Sequence, residues 1–222
     1  MASDVHQRVE EILREIPPHI TVVAAAKGAS AERVREAIDA GIQVIGQNYF
    51  SEARRVRAQL PQQVTWHFLG RLRSHDIRPT NLELFDVLQS VDSLRLAERV
   101  SSRCVASGRT MHLLLEVNSA REPQKGGLMP ENVEGVLRSV ALLPHVRVTG
   151  LMTIGPLTSS TEEYRQVFSE VRRLFEHVRT LDLPGARLET LSMGMSDSYR
   201  VAIDEGATMV RLGTRIFGPR NA

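Results

Sequence analysis

Eight short apolar segments, regularly spaced along 222 residues and separated by helix-like stretches, constrain the fold of this chain most strongly. They are rich in β-branched residues and mostly continuous in their apolar character rather than alternating. That pattern is typical of strands buried on both faces of a parallel sheet. The predicted strands span 21–26, 42–46, 65–69, 85–91, 111–117, 147–152, 187–193 and 208–212.

Helical patterns fill the intervals between these strands. We predict helices at 31–40, 94–106 and 164–181, and an N-terminal helix at about 3–16. Asp92 is predicted to cap the second of these helices, and Ser160 with Glu163 has the spacing of a capping box ahead of the third. Gly41 and Gly206 are predicted to end helices, as glycines in the C-terminal cap do.

Eight strands alternating with helices predict an α/β fold, a single (β/α)₈ barrel of the TIM type, as one domain over residues 1–222. An open, doubly wound sheet is the alternative, but no G-x-G-x-x-G motif follows the first strand. The chain ends within ten residues of the last predicted strand, so we expect no second domain.

The composition of the chain argues against several classes of protein. The 28 basic and 26 acidic residues are spread along the chain without a basic block, which argues against nucleic-acid binding. The charged N-terminus and the lack of a long apolar run argue against a signal peptide or a membrane span. With Cys104 as the one cysteine, no intramolecular disulfide can form, and we expect a cytoplasmic protein. No metal site is predicted.

Lysine occurs at two positions only, Lys27 and Lys125, whereas arginine occurs 26 times. Lys27 follows the first strand, at the barrel end where function collects. An amine can lose its proton and form a Schiff base with a carbonyl ligand, which a guanidinium cannot do. Lys27 could equally be a strand-end lysine that reaches solvent. Lys125 lies in a loop after the fifth strand, and its role stays unassigned.

The loops after strands seven and eight are the recurrent phosphate site of this fold. Ser192 and Ser196 flank Gly194 where the seventh strand meets a predicted helix, and Gly213 and Thr214 close the eighth strand. Hydroxyls and free backbone N–H groups there favour an anion. Alternatively, Ser196 is only a helix cap and Gly213 only a turn.

Three further polar residues follow or lie within predicted strands. Arg211 lies within the apolar eighth strand, where a charge needs a partner, and it could donate to a ring nitrogen of a ligand. Asn48 could bind a ligand oxygen or cap a helix, and His67 on the third strand has the surroundings of a core histidine. A Schiff-base lysine, a phosphate site and this arginine match pyridoxal 5′-phosphate (PLP), a hypothesis that spacing alone leaves open.

From about Val22 to Arg220 the sequence resembles the pyridoxal phosphate homeostasis protein family, also called the YggS or PROSC type. The resemblance rests on motifs that fall in order along the chain. They are Lys27, Ala37-Ile38-Asp39-Ala40-Gly41, Gly46-Gln47-Asn48-Tyr49, Trp66-His67-Phe68-Leu69-Gly70, Lys125-Gly126-Gly127, Gly150-Leu151-Met152-Thr153-Ile154, Leu191-Ser192-Met193-Gly194-Met195-Ser196-Asp197, Met209-Val210-Arg211-Leu212-Gly213-Thr214 and Ile216-Phe217-Gly218.

The resemblance implies the barrel of the alanine racemase N-terminal domain, with PLP held as a Schiff base on Lys27. It implies that Ser192, Ser196, Gly213 and Thr214 surround the phosphate, that Arg211 faces the pyridine nitrogen and that Asn48 lies near the ring. The predicted cofactor contacts also include residues within the matching motifs, namely His67, Met152, Met193 and Gly194.

The sequence also departs from the family pattern. Around the lysine the family usually has Ser-Lys-Thr-Lys-Pro, whereas this chain has Ala26-Lys27-Gly28-Ala29-Ser30, so the second lysine is absent. Gln47 replaces a glutamate, and Leu72-Arg73-Ser74-His75-Asp76 replaces the common Leu-Gln-x-Asn-Lys. Any role of the second lysine in cofactor exchange is therefore in doubt for this chain.

Two classes of function follow from the resemblance. The first is a carrier that binds PLP reversibly and acts in vitamin B6 and amino-acid homeostasis without robust catalysis; we predict this one, as a monomer with PLP-dependent apoenzymes as possible recipients. The alternative is a PLP-dependent amino-acid racemase. Racemisation needs two acid/base groups, and racemases of this fold take the second, a tyrosine, from a further domain. A barrel enzyme acting on another phosphorylated metabolite is a third, weaker interpretation.

Overall fold

Eight parallel strands close into a barrel in the computed structural model, which describes residues 3–60, 64–122, 124–157 and 160–219. Neighbouring strands pair in chain order, and the last strand pairs with the first. This confirms the predicted (β/α)₈ barrel and excludes the open sheet. The resemblance extends to Arg220, which lies outside the described residues.

The helices and strands alternate as the apolar pattern predicts. The strands are β1 Thr21–Ala25, β2 Val44–Gln47, β3 Thr65–Phe68, β4 Val87–Val91, β5 Met111–Val117, β6 Val146–Thr153, β7 Ala186–Ser192 and β8 Met209–Leu212. The helices within the described ranges are α1 Asp4–Glu15, α2 Ala31–Asp39, α3 Phe50–Arg57, α4 Pro79–Leu82, α5 Leu94–Ser107, α6 Val133–Val140, α7 Thr161–Arg179, α8 Tyr199–Asp204 and α9 Thr214–Phe217, with a 3₁₀ turn at Pro130–Asn132 before α6.

The predicted helix caps are partly right. The hydroxyl of Ser160 accepts from the backbone N–H of Glu163 at the start of α7. Gly41 and Gly206 follow α2 and α8 with φ of +110° and +89°, a backbone conformation that glycine adopts without strain. The prediction for Asp92 is wrong, because Ser93 occupies the N-cap position of α5. Asp92 instead lies one residue before that cap.

Two apolar layers hold the barrel together. Alternate strand residues point outward under the helices, as Ile45, Trp66 and Phe68 do, and these are almost completely buried. Inside the barrel a separate small cluster of Val23, Val44 and Met209 closes the end at which the strands begin. The opposite end, where the strands finish, is left free for polar side chains.

Gly150 lies in β6, where the backbone of β7 is close to it. It pairs with Thr190, and a Cβ on Gly150 would overlap the Thr190 carbonyl oxygen, which the strand pairing holds in place. We expect Gly150→Ala to lower the free energy of unfolding by about 2 kcal/mol, as overpacking does. Urea denaturation measures the change. Gly135→Ala is the matched control: its Cβ meets nothing within 4 Å on helix α6, so the free energy should stay equal or rise. Equal behaviour of the two variants would contradict this prediction.

Candidate functional site

A cavity of about 300 Å³ opens at the end of the barrel where the strands finish. Most of its lining residues lie at or just beyond the ends of β1, β2, β6, β7 and β8, because parallel strands bring their carboxyl ends to one edge. The lining consists of Ala25, Lys27, Asn48, Leu69, Met152, Ile154, Met195, Ser196, Asp197, Arg211, Gly213 and Thr214. Seven of the eleven predicted site residues are in this set.

Lys27 lies two residues beyond the end of β1 and is half-buried. Within the described parts of the chain its Nζ has no hydrogen bond or ion pair, and it lies 5.4 Å from the centroid of the Tyr49 ring. Lys125 differs, because its Nζ donates to Glu122 Oε1 at 2.6 Å and to the Gly155 carbonyl at 3.1 Å. Of the two lysines, Lys27 is therefore the amine available to a ligand in the cavity.

Arg211 reaches the cavity from the inside of the barrel. Its guanidinium donates to Ser192 Oγ at 2.7 Å and to the carbonyl oxygen of Thr153 at 2.8 Å. Burial lowers the pKa of Arg211 to about 10, and Glu116 opposes that shift. The side chain therefore remains charged at neutral pH, with N–H groups left over for a ligand.

Ser196, which also lines the cavity, accepts hydrogen bonds from two backbone N–H groups. Its Oγ accepts from the backbone N of Gly213 at 3.3 Å and of Arg215 at 3.4 Å, where α9 begins. Ser196 does not cap the helix that follows it, since α8 begins at Tyr199 with Ser198 at its N-cap position. Ser196, Gly213, and the adjacent Thr214 therefore form a cluster of hydrogen-bonding groups suited to an oxyanion.

Four predicted site residues lie outside the cavity lining. His67 and Ser192 are buried in the barrel interior and bind Gln89, the former through Nδ1 at 2.7 Å and the latter through Oγ at 2.8 Å. Burial lowers the pKa of His67 to about 4, so its imidazole is neutral. Met193 is completely buried, and Gly194, with φ of +90°, turns the chain from β7 toward Ser196.

Sequence reasoning missed several residues of this site. Leu69, Ile154, Met195 and Asp197 line the cavity, and all four belong to motifs that the sequence shares with the family. Gln89 was missed as well, although a glutamine in the middle of an apolar strand is itself a signal that a polar partner lies nearby. The carbonyl of Thr153 carries no such signal, because every residue has one.

Glu116 adds negative charge near Arg211, and Asp92 lies near Glu116 in turn. Glu116 is 8% exposed, and its pKa is raised to about 7, first by burial and then by Asp92, while Arg211 and Arg71 oppose the shift. The carboxylates therefore partly balance the arginine charge on this side of the barrel.

A second cavity, of about 350 Å³, lies at the opposite end of the barrel near Leu13 and Ile20. No titratable side chain is among its described lining residues.

Helices α8 and α9, which follow Ser196 and contain Arg215 respectively, are tied to the N-terminal helix. Glu15 Oε1 accepts from Tyr199 Oη and from Arg200 Nε, each at 2.6 Å, and Glu15 Oε2 lies 3.5 Å from an Arg215 nitrogen. The hydrogen bonds from Arg200 and Tyr199 lower the pKa of Glu15 to about 2. Helix α1 therefore supports the segment that lines one side of the cavity.

Because the folded-state pKa of Glu15 lies below its ordinary 4.5, its ionised form stabilises the fold above pH 4.5 and less as the pH falls toward 2. We expect Glu15→Gln to lower the free energy of unfolding at neutral pH by about 1 kcal/mol or less, since solvent screens a partly exposed ion pair. The difference from wild type should shrink below pH 4.5. Urea denaturation at several pH values tests this, with Glu11→Gln, an exposed glutamate of the same helix, as control. A difference that grows in acid would contradict it.

Comparisons with known proteins agree on one family. The family model described as the alanine racemase N-terminal domain matches residues 4–221. The pyridoxal phosphate homeostasis protein of Pseudomonas aeruginosa is 38% identical over 206 residues, which cover 92% of this chain and 86% of that protein. PipY of Synechococcus elongatus PCC7942, solved with PLP bound, is 33% identical with a TM-score of 0.88, covering 97% of this chain and 100% of that chain.

A more distant neighbour shares the barrel only. The alanine racemase of Clostridium difficile 630 has a TM-score of 0.81 at 14% identity, and the match covers 99% of this chain but 56% of the racemase chain. At that identity the likeness shows the fold alone. No helix in the described ranges is long and apolar enough to cross a membrane.

Proposed function

Because the chain belongs to the pyridoxal phosphate homeostasis protein family, we propose that it binds PLP in the cavity at the carboxyl ends of its strands and serves in PLP homeostasis. The observation that carries this proposal is the pairing of Lys27, an amine without a hydrogen bond or ion pair in the described structure, with the charged and buried Arg211 in one cavity. This combination suits a ligand that has both a carbonyl carbon and a ring nitrogen.

The residues present fit the cofactor in size and in chemistry. A volume of about 300 Å³ is at the small end of the range for small-molecule sites, roughly 300–1,000 Å³. Lys27 and Arg211 supply two positive charges against one carboxylate, that of Asp197, among the described lining residues. A cavity with a net positive charge, and with the Ser196 and Thr214 hydroxyls in its lining, favours a doubly charged phosphate.

We assign a task in binding to seven of the lining residues. PLP supplies an aldehyde carbon, with which a primary amine condenses to a Schiff base by forming a C=N bond and releasing one water. Lys27 is the amine that we assign to this bond. We assign Ser196, Gly213 and Thr214 to the phosphate, and Asn48 and Met152 to the edges and face of the ring.

Arg211 is assigned to the pyridine nitrogen. A guanidinium only donates hydrogen bonds and stays charged, so the nitrogen beside it must accept and remain unprotonated. An unprotonated ring withdraws electrons poorly. This arrangement favours storage of the cofactor over chemistry on an attached amino acid, although racemases tolerate it.

We propose a carrier rather than a racemase for a second reason. Racemisation needs one acid/base group on each face of the ring. No tyrosine is among the described lining residues, whose ionisable side chains besides Arg211 are Lys27 and Asp197. Tyr49 is 48% exposed, its ring centroid lies 5.4 Å from Lys27 Nζ, and it is not among the described lining residues. The relatives are named homeostasis proteins, and the racemases share the fold only.

The test is direct. Purified protein is incubated with PLP, its visible absorbance is recorded, and the complex is reduced with borohydride and mapped by mass spectrometry. We expect a new absorption band and one modified peptide, that of Lys27. A protein that stays colourless and unmodified would refute PLP binding. Sustained exchange of the α-hydrogen of alanine in deuterated water would favour the racemase instead.

We further propose that the protein acts in the cytoplasm as a monomer and passes PLP to apoenzymes. The buried Cys104 supports a reducing compartment, because the fold does not depend on a disulfide. Size-exclusion chromatography with light scattering tests the monomer. Activation of an apoenzyme by the loaded protein, faster than by free PLP at equal concentration, tests delivery.

A further inference from the structure

The interior of the barrel below the cavity contains a polar layer built from four strands. His67 of β3, Gln89 of β4, Ser192 of β7 and Arg211 of β8 are 4%, 0%, 0% and 6% exposed. Polar groups cost free energy in such a place unless each of them is hydrogen-bonded. Their hydrogen bonds form a continuous chain from the cavity to the core.

The direction of each hydrogen bond in this series follows from the chemistry of the Arg211 guanidinium. A guanidinium can only donate, so Ser192 Oγ accepts from it at 2.7 Å. The single hydroxyl proton of Ser192 is then free to point to Gln89 Oε1, at 2.8 Å. The amide nitrogen of Gln89 lies on the other side and donates to His67 Nδ1 at 2.7 Å. An accepting Nδ1 carries no proton.

The reverse orientation of the Gln89 amide fits the surroundings less well. Its nitrogen would then face Ser192 Oγ, which already accepts from Arg211, and the hydroxyl proton would lose its acceptor. His67 would have to carry its proton on Nδ1. The nitrogen of Gln89 also lies 3.2 Å from the sulfur of Met209, an acceptor for the second amide proton in the orientation described here.

Arg211 is fixed on two of its nitrogens by this layer. One contact is Ser192 Oγ, which Gln89 orients, and the other is the carbonyl of Thr153, whose own hydroxyl donates to the Val117 carbonyl at 2.8 Å. The remaining guanidinium protons are available on the cavity side. A guanidinium at the end of a flexible side chain would otherwise lose entropy when it binds a ligand, and prior fixation removes that cost.

We propose that Gln89 and Ser192 are positioning residues, which orient Arg211 toward the pyridine nitrogen of PLP and hold His67 as the neutral tautomer protonated on Nε2. The assignment of Arg211 to the ring nitrogen rests on the function proposed above. The proton positions within the layer do not, since they follow from the protein alone. The lowered pKa of His67, caused by its burial, agrees with a neutral imidazole.

The first experiment uses the full-length protein without added cofactor. Nitrogen-15 NMR of the imidazole groups at neutral pH distinguishes the two neutral tautomers of His67. We expect the proton on Nε2. In Gln89→Glu the carboxylate cannot donate, so His67 should move its proton to Nδ1 or become charged. A proton on Nδ1 in the wild type, or no change in Gln89→Glu, would overturn the proposed proton order.

The second experiment tests the effect on the cofactor. PLP labelled with nitrogen-15 in the ring is added to wild type, Ser192→Ala and Gln89→Met. We expect the ring-nitrogen resonance to shift in both variants and the affinity to fall about tenfold, the effect of losing one hydrogen bond to a charged group. Ser101→Ala is the matched control, since Ser101 is also buried and donates to the Pro144 carbonyl at 2.6 Å, outside the barrel.

The outcomes separate the two proposals. If Ser192→Ala and Gln89→Met keep the wild-type resonance and affinity, they do not position Arg211 and the inference is wrong. If Ser101→Ala produces the same shift, the effect reflects general destabilisation and the inference is again wrong. If the wild type itself binds no PLP, the proposed function fails, while the His67 tautomer still decides the proton order. Should Ser192→Ala not fold, Gln89→Met gives the same decision.

Discussion

Replacing Lys27 with arginine is expected to abolish covalent attachment of PLP. Arginine keeps the positive charge and the length of the side chain, but its guanidinium cannot lose a proton and condense with an aldehyde. After incubation with PLP and reduction by borohydride, wild-type protein should carry one cofactor on the Lys27 peptide. Lys27→Arg should carry less than about one hundredth of that amount, because the step needs an amine.

Lys125→Arg is the matched control for this experiment, and the chain makes it unusually informative. The sequence has no third lysine, so the N-terminal amine is the one other primary amine that PLP could modify. Lys125 is bound to Glu122 and to the Gly155 carbonyl, and its loss should leave the modification of Lys27 unchanged. Peptide mapping assigns each adduct to one of these three amines.

Two other results would contradict the proposed covalent attachment of PLP to Lys27. If Lys27→Arg is modified on Lys125 to the wild-type extent, the cofactor is bound elsewhere and the assignment of this cavity is wrong. If neither wild type nor variant is modified but both acquire the absorption of bound PLP, the cofactor is held without a covalent bond. That result would refute the role of Lys27 and retain the cavity.

The fold could be predicted from sequence because each apolar segment corresponds to one strand. The predicted first and last residues of the strands were less accurate, for a physical reason. The predicted strands include Ile42 and Phe85, but in the structure these residues precede β2 and β4. Both are buried, at 2% and 0% exposure. An apolar residue in a loop packs on the same core as its neighbours in the strand. The hydrophobic pattern of a sequence indicates which residues are buried, whereas a strand is defined by its backbone hydrogen bonds to a neighbouring strand.

Site residues could be predicted from the sequence where they lie at or just beyond the carboxyl end of a strand. Lys27, Asn48 and Arg211 line the cavity because each lies at or just after the carboxyl end of a strand. Ser192 shows where this reasoning stops. It is the last residue of β7, and its side chain points into the barrel rather than the cavity, since it bonds to Gln89 and Arg211. Which way a strand-end residue faces depends on register.

The hydrogen-bond partners of individual backbone groups were the least predictable part of the site. The N–H groups of Gly213 and Arg215 converge on Ser196 because α9 begins immediately after β8. Nothing in the identity of Arg215 indicates this, and its side chain extends away toward Glu15 and Tyr199. Such donors are visible only once the turn between strand and helix is known.

The same two donors lead to the second large effect. Ser196→Asp is expected to weaken PLP binding by about 100-fold or more, because the carboxylate would hold both N–H groups more strongly than the hydroxyl does and would repel the phosphate. Each hydrogen bond to a charged group contributes about 1.5–3 kcal/mol, and about 1.4 kcal/mol corresponds to tenfold in affinity. Equilibrium titration of the visible absorbance measures the change. Pyridoxal, which lacks the phosphate, should bind to variant and wild type within about threefold, because it never uses these donors.

Ser3→Asp controls for the added charge. The hydroxyl of Ser3 also accepts a backbone N–H, that of His6 at 3.2 Å, but at the start of α1 and outside the cavity. Aspartate is as good an N-cap as serine, so this variant should fold normally and keep wild-type affinity for PLP. Two results would contradict the phosphate assignment: an unchanged affinity of Ser196→Asp for PLP, or an equal loss for PLP and pyridoxal. The second would mean that the substitution disturbs the ring or Lys27 rather than the phosphate, since a phosphate contact must discriminate between the two ligands.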